Sequence, residues 1–273
     1  MDHDVEESVG AEYGHIVRFA SPPVTEVVAA VHFQALSFAT AMRLGQLHQE
    51  QFAEEFPIIE PQVPLPSRVE DFDEVAGEQQ FQVQFGANAE PPRVWFIDET
   101  GDRVVQVQSN WFACNWRNVR AESTYQQWER RREDFRAQWE SFSSWVAACG
   151  DEVVPVQCEV TYINHIETPD HANLPQIFHV DTPVATGLRL QERRIQDRYV
   201  ILDNNNDAVG RLTTSIQPGF KQPDMMPVYA FELTARTSSS AGVLRGLDVG
   251  RNSIVTQFLS MTTPEAREGW GQA

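Results

Sequence analysis

Aromatic and amide side chains are interleaved in two short segments of this chain, residues 93–117 and 159–166. Asn and Gln carry both hydrogen-bond donors and acceptors, so beside Trp and Tyr they must either satisfy one another or meet a ligand. These residue types suit binding, with aromatic faces for stacking and amides that orient a polar partner. The candidate binding residues are Trp95, Gln106, Gln108, Asn110, Trp111, Asn115, Trp116, Arg117, Tyr162, Asn164 and His165.

Two interpretations of this cluster stay open. In the first, its asparagines are structural and lock turns and strand ends; in the second, the cluster is a site for a small molecule or a peptide. A catalytic alternative pairs His165 with Glu159 or Glu232 in a hydrolase or lyase. That chemistry requires the paired side chains to meet within hydrogen-bond reach in one cleft.

The sequence contains no strong catalytic motif. GxSxG, P-loop, GxGxxG and HExxH patterns are absent, and the three histidines between residues 165 and 179 do not have the spacing of metal ligands. The cysteines form no CxxC pair and are predicted to be buried, reduced thiols: Cys114, Cys149 and Cys158. We therefore expect no metal, cofactor or disulfide, and the sequence leans towards a non-enzymatic protein.

The net charge of −18 is concentrated in the N-terminal part of the chain. Residues 1–100 carry 18 acidic and 4 basic side chains, a net charge of −14. Such a field repels nucleic-acid phosphates and anionic lipid, and favours solubility or a basic protein partner. The first twenty residues are acidic, unlike a signal peptide, so we expect a cytoplasmic protein that binds another protein but neither nucleic acid nor membrane. A homo-oligomer is left open.

The element pattern predicts an α+β fold in which two similar modules of antiparallel strands form one continuous curved sheet, with long helices on one face. The predicted division is an acidic, disordered tail at 1–16, an N-terminal module at 17–152 and a C-terminal module at 153–273. A shift of 105 residues aligns the hairpin around 99–102 with the one around 203–207, which indicates an internal duplication. Alternation at Phe81, Val83 and Phe85 predicts a further strand.

Several local predictions follow from the same patterns. Helices are expected at 38–56, 124–148 and 247–261, and a strand at 188–195. The run Arg130–Arg131–Arg132 is expected on a solvated helix face, and the glycines at 242, 246 and 250 indicate close helix packing. The sheet face without helices should carry alternate polar residues, namely Gln106, Gln108, Glu159, Thr161, His165, Glu232, Thr234 and Arg236.

The chain resembles a sporadically distributed family of uncharacterised bacterial proteins of roughly 260 residues. The resemblance is carried by PPVTEV at 22–27, RVWFIDETGDRVVQVQSNWFACNWR at 93–117, YQQWERRREDF at the start of the long helix and EVTYINHI at 159–166. It implies a stand-alone cytoplasmic protein of patchy occurrence, in keeping with a regulatory, antitoxin-like or phage-defence accessory role. It implies no catalytic residue, cofactor or partner.

Overall fold

The structure, a computed structural model, describes residues 17–37, 39–66, 69–72, 93–120, 123–181 and 184–272. The strands are β1 (Val24–Phe33), β2 (Ile58–Gln62), β3 (Arg93–Ile97), β4 (Arg103–Gln108), β5 (Trp111–Arg117), β6 (Pro155–Glu167), β7 (Ile195–Leu202), β8 (Ala208–Lys221) and β9 (Met226–Ser238). All nine belong to one antiparallel sheet in the order β2-β3-β4-β5-β1-β6-β9-β8-β7. The prediction of an α+β fold with one continuous sheet is confirmed.

Strands from the two halves of the chain meet at the centre of the sheet, where β1 pairs with β6. Each of these strands pairs on its other side with the last strand of its own half, β1 with β5 and β6 with β9. The remaining strands continue outwards as meanders on either side. The division into modules, the duplication and the curvature stay predictions.

The helices are α1 (Ala41–Leu47), continued by a π-helical turn (His48–Phe52), α2 (Trp128–Ala148), α3 (Leu174–Ile177), α4 (Val243–Met261) and α5 (Pro264–Gly269). The two long helices lie on the same face of the sheet, α2 against β5 and α4 chiefly against β6 and β9. The core between them is aromatic: Phe112 of β5 stacks on Phe142 of α2 with ring centroids 4.9 Å apart. Burial of such rings is a large favourable term in folding.

Close packing of α4 depends on glycine. A Cβ added at Gly246 would lie 2.8 Å from Cys158 Sγ and 2.9 Å from the Ser238 carbonyl oxygen. At Gly250 the nearest atom to an added Cβ is 3.4 Å away, on Ala235. The absence of these side chains lets the helix axis approach the sheet, which supports the packing role predicted for Gly246 and Gly250; at Gly242 an added Cβ would meet nothing within 4 Å.

A buried carboxylate joins the two long helices. Asp248 of α4 is 5% exposed and accepts hydrogen bonds at 3.0 Å from Trp128 Nε1 and from Arg132 Nε of α2. Arg131 is also buried, at 9% exposure. The prediction of a solvated face for the arginine run is therefore wrong for Arg131 and Arg132, because both turn inwards to carboxylates; Arg130 is 68% exposed at its side chain.

Other differences are local. The first predicted helix is limited to 41–52, and residues 188–194 form no strand, so β7 begins only at Ile195. Cys149 is exposed, contrary to the prediction of a buried thiol, because it ends α2 at the surface. The predicted tail at 1–16 and the predicted strand around 81–85 lie outside the described residues. None of the helices in the described ranges is long and apolar enough to cross a membrane.

Candidate functional site

The sheet face opposite α2 and α4 carries the polar side chains predicted for it. Cys158, Val160 and Tyr162 of β6 pack into the helix-covered core, so Glu159 and Thr161 point the other way. We call this side the polar face. Its central members, which strand pairing places side by side, are Glu26, His32, Arg93, Trp95, Gln106, Gln108, Trp111, Asn115, Arg117, Gln157, Glu159, Thr161, Arg211, Thr234 and Arg236.

A chain of amide hydrogen bonds runs across four strands of the polar face. Gln106 Oε1 accepts from Trp95 Nε1 at 2.8 Å and from Arg93 Nη1 at 2.9 Å. Gln106 Nε2 donates to Asn115 Oδ1 at 2.7 Å, and Asn115 Nδ2 donates to Glu26 Oε1 at 2.5 Å. Because both ends of both amides have partners, the structural interpretation suits Gln106 and Asn115 well.

Two arginines beside this amide chain have no carboxylate partner among the described residues. The guanidinium carbons of Arg93 and Arg117 lie 5.5 Å and 5.3 Å from the Trp95 ring centroid, within cation–π range. The Nε of each is buried and makes no hydrogen bond within the described part of the chain, although Arg117 Nη2 donates to the Gly101 carbonyl at 2.9 Å. Burial lowers the pKa of Arg93. This end of the polar face therefore offers positive charge and unused donors.

An extended part of the chain crosses the polar face. We call residues 63–72 the crossing segment, of which 67 and 68 lie outside the described residues. Gln108 accepts from the Leu65 amide N–H at 2.8 Å and donates to the Leu65 carbonyl at 2.9 Å. Gln157 binds Glu70 in the same way, at 2.9 Å and 2.5 Å. Each glutamine thus reproduces the paired hydrogen bonds that a neighbouring strand would make.

Near the end of the crossing segment, the Glu70 carboxylate lies between two arginines. It lies 2.8 Å from Arg211 Nε and also pairs with Arg236, whose Nε is 2.6 Å from Glu159. His32 Nε2 is 3.5 Å from the same Glu159 carboxylate. Burial opposes ionisation of Glu159, but the nearby His32 and the Arg236 charge outweigh it and lower its pKa to about 2. The two carboxylates of this cluster are therefore ionised and paired with Arg211 and Arg236 within the chain.

A pocket of about 400 Å³ opens beside the crossing segment. Its wall includes Leu65 and Pro66 of that segment, with Trp111 and Asn110 at the β4–β5 turn and His32 of β1. Asn110 Oδ1 accepts from Gln108 Nε2 at 2.9 Å. Of the eleven sequence-predicted residues, seven therefore gather around the amide chain, the arginines and this pocket: Trp95, Gln106, Gln108, Asn110, Trp111, Asn115 and Arg117.

The other four predicted residues lie elsewhere. Trp116, Tyr162 and Asn164 are buried on the helix-covered face, and His165 is exposed near the far end of β6. Burial lowers the pKa of His165. Glu159 and His165 are six residues apart on one strand, about 20 Å, so they cannot share a cleft.

The described residues give no other support for catalysis at His165. Glu232 accepts a hydrogen bond from Thr234 and makes none with His165. No group of three or more His, Cys, Asp or Glu side chains in the described ranges is placed to hold a metal.

Sequence reasoning missed several residues that build the polar face. Arg93 and Gln157 could have been found, because period-2 alternation puts Arg93 on the side of Trp95 and Gln157 on the side of Glu159. Glu70 had no such signal, since it lies in irregular chain whose path across the sheet no local pattern specifies.

Comparison with protein-family models and with curated proteins gives no match to this chain. We therefore infer the function from the geometry of the polar face.

Proposed function

We propose that this chain is a non-enzymatic interaction protein whose polar face binds an extended, acidic segment of a partner protein. The observation that carries the proposal is the way Gln108 and Gln157 hold the crossing segment through its backbone. Contacts to backbone amides accept any extended peptide regardless of its side chains. Gln108 and Gln157 thus make, with a segment of the same chain, the backbone contacts that would hold a bound peptide.

Charge supplies the selectivity in this proposal. Within the chain, a carboxylate on the crossing segment sits between Arg211 and Arg236. Arg93 and Arg117 offer a second pair of guanidiniums, for which the described residues provide no carboxylate. Arginine binds carboxylates in a planar, bidentate geometry, so an Asp or Glu of the partner is the matching group.

The overall charge does not oppose an acidic partner segment at this place. A net charge of −18 predicted a basic partner. However, at physiological ionic strength the Debye length is about 8 Å, so most of the chain's carboxylates are screened from a group bound between Arg93 and Arg117. The two guanidiniums beside Trp95 then favour a carboxylate locally, against Glu60 and Glu26, which strand pairing places opposite Trp95 and Arg117.

The test compares the polypeptides that co-purify with the wild-type protein and with two matched double variants. The protein is isolated gently from its host at low salt, and the native mass of each preparation is measured. We expect a stoichiometric second polypeptide with the wild type and with the control Arg130→Gln/Arg136→Gln, whose arginines lie exposed on α2. The polypeptide should be lost with Arg93→Gln/Arg117→Gln. A wild-type preparation without a partner, or equal recovery with both variants, contradicts the proposal.

A small-molecule site on the same face is a second candidate, favoured by the pocket of about 400 Å³ at Trp111 and His32. Its lining of an indole, an imidazole and two amide side chains is the kind of surface that orients a small polar ligand. The native spectrum separates the two functions: a retained mass of a few hundred daltons that disappears on denaturation supports the pocket, and a bound polypeptide supports the peptide surface.

We also propose that the sheet is curved, that its two halves arose by duplication and that the protein acts in the cytoplasm. The duplication is supported by the 105-residue shift, which aligns β3 with β7 and β4 with β8. These strands occupy corresponding places in the two meanders, counted outwards from β1 and from β6.

A further inference from the structure

The outermost strand on the C-terminal side of the sheet, β7, has an open edge. It pairs with β8 on one side and is the last strand of the sheet on the other. Within the described ranges, no hydrogen bond of a turn or loop involves a backbone group of residues 195–202. In an antiparallel pair, alternate residues direct their N–H and C=O groups away from the partner strand, so β7 presents a row of such groups outwards.

The outermost strand at the other end of the sheet, β2, is poorly suited to further pairing. It is short and contains Pro61, which has no backbone N–H. Proline and short length are usual means by which proteins protect a sheet edge. In contrast, β7 is longer, contains no proline and departs from regular pairing with β8 only at its end, between Ile201 and Leu202. Of the two edges, β7 is therefore the one that can accept a further strand.

Exposed apolar side chains are concentrated on the same side of the sheet. Eight of the fifteen exposed large apolar side chains in the described ranges fall between residues 184 and 226, the stretch that contains β7 and β8. Three of them belong to β7, namely Tyr199 at 37% exposure, Val200 at 47% and Leu202 at 54%. Apolar side chains along an open sheet edge mark a surface for association.

The charge of this stretch indicates which partner the edge accepts. Residues 184–226 carry six basic and five acidic side chains, a net charge of +1, whereas the whole chain has a net charge of −18. Two copies of so acidic a chain repel each other, and the repulsion is weakest where the local net charge is near zero. A partner with a strong charge of either sign would find no complementary field there, so a second copy of this chain fits best.

We propose that β7 pairs with β7 of a second copy of this chain, antiparallel and about a two-fold axis, so that two sheets join into one. Such an interface is isologous, because the same strand is used by both copies. A two-fold axis perpendicular to the sheet reverses the strand direction and keeps the long helices of both copies on the same face. Residues that point to the same face are therefore paired, and their numbers differ by zero or by an even number.

The register centred on Tyr199 fits the side chains of β7 best. It places Tyr199 opposite Tyr199 of the second copy, Arg198 opposite Val200, and Asp197 opposite Ile201. Aromatic cross-strand pairs stabilise a sheet, and like charges directly opposite each other destabilise it. This register gains the first and avoids the second.

The neighbouring registers are less favourable. Registers centred on Asp197 or on Arg198 would set two identical charges opposite each other at the axis. A register centred on Val200 would set Asp197 opposite Asp203 of the second copy, twice in each dimer.

Sedimentation velocity of the full chain measures this association. Paired residues 197–201 make an interface much smaller than the about 20–30 residues a side of a standard one, so we expect a reversible dimer with a dissociation constant of about 1–100 µM. Its mass is twice the 31.0 kDa of the chain. A protein that stays monomeric up to about 500 µM overturns the proposal.

Matched variants locate the interface at β7. Val200→Lys should weaken the dimer at least about tenfold, because the new ammonium lies opposite Arg198 and lysine obstructs edge pairing. Ile58→Lys is the control, since Ile58 is an equally exposed apolar residue, at 45%, on the other outermost strand. It should leave the dissociation constant unchanged. Equal effects of the two substitutions, in proteins with circular dichroism spectra like that of the wild type, contradict the assignment to β7.

A disulfide tests the register. In a Cys149→Ser background, which removes the exposed thiol, Tyr199→Cys should give a covalent dimer when oxidised with copper–phenanthroline. Residues opposite each other in antiparallel strands have Cα atoms about 4.5–5.5 Å apart, within disulfide reach. Asp197→Cys is the control, because the two copies of position 197 lie four residues apart along the paired strands, about 13 Å, and should not cross-link. No cross-link at position 199, or an equal one at position 197, contradicts the proposed pairing.

Discussion

Glu70→Gln is the perturbation that bears most directly on how the polar face holds an extended chain. The Glu70 side chain is 14% exposed and pairs with Arg211, which is 8% exposed, and with Arg236. Removing its charge leaves Arg211 buried without this carboxylate, while Arg236 keeps Glu159. Breaking one partner of a buried ion pair costs about 3–5 kcal/mol. Since one of the two arginines stays paired, we expect a loss near the lower end, about 3 kcal/mol.

The assay is the free energy of unfolding from urea titration, with limited proteolysis of the crossing segment as a local readout. Glu60→Gln is the matched control, because Glu60 is an exposed carboxylate on β2, ten residues before Glu70. It should change stability by less than about 0.5 kcal/mol. The double variant Glu70→Gln/Arg211→Met should be more stable than Glu70→Gln alone, since it also removes the buried guanidinium that has lost the Glu70 charge. A Glu70→Gln protein as stable as the Glu60→Gln protein would refute the reasoning.

Three further outcomes follow from the packing and the pKa shifts. Burial opposes ionisation of Glu159, but its histidine and arginine neighbours lower its pKa from 4.5 to about 2. The ionised carboxylate should therefore contribute about 3 kcal/mol to the free energy of unfolding above pH 4.5, and this contribution should be lost as the pH falls towards 2. A free energy of unfolding that stays constant over this pH range would contradict the prediction. Gly246→Ala should lower the free energy of unfolding by about 1–3 kcal/mol, because the new Cβ clashes with Cys158 and Ser238. Gly45→Ala, whose Cβ meets nothing within 4 Å, should raise it by up to about 1 kcal/mol. Urea titration measures both, and equal effects of the two substitutions would contradict the close packing at Gly246. A thiol reagent should label Cys149 in the native protein, while Cys158, whose pKa is raised by burial to about 12, should react only after unfolding; rapid native labelling of both would contradict the burial.

Much of the fold could be predicted because local patterns specify it. The Gly101 turn between β3 and β4 has a φ of 77°, as its place in the hairpin required. Thr263 caps α5 by accepting from the Ala266 N–H, with Pro264 at the first helical position. Alternation along the strands predicted part of the polar face, including Gln106, Gln108, Glu159 and Arg236.

The arrangement of the site was harder to predict, because it depends on contacts between distant parts of the chain. Trp116 was grouped with Asn115 although adjacent strand residues point to opposite faces, and strict alternation would have separated them. The hydroxyls of Tyr125 and Tyr162 meet at 3.1 Å although 37 residues separate them, and no local pattern links the two. The pairing of β1 with β6 is likewise a non-local result of folding.

The most direct test of the central claim is a photo-cross-link from the polar face. The photoreactive residue p-benzoylphenylalanine replaces Trp95, or, as a control, the exposed Glu140 on α2, and the protein is irradiated in its host before the cross-linked peptides are sequenced. We expect adducts at position 95 with one partner protein, at an Asp- or Glu-rich segment, and none with that protein at position 140. Equal adducts at both positions, or adducts at position 95 without acidic residues, would contradict it.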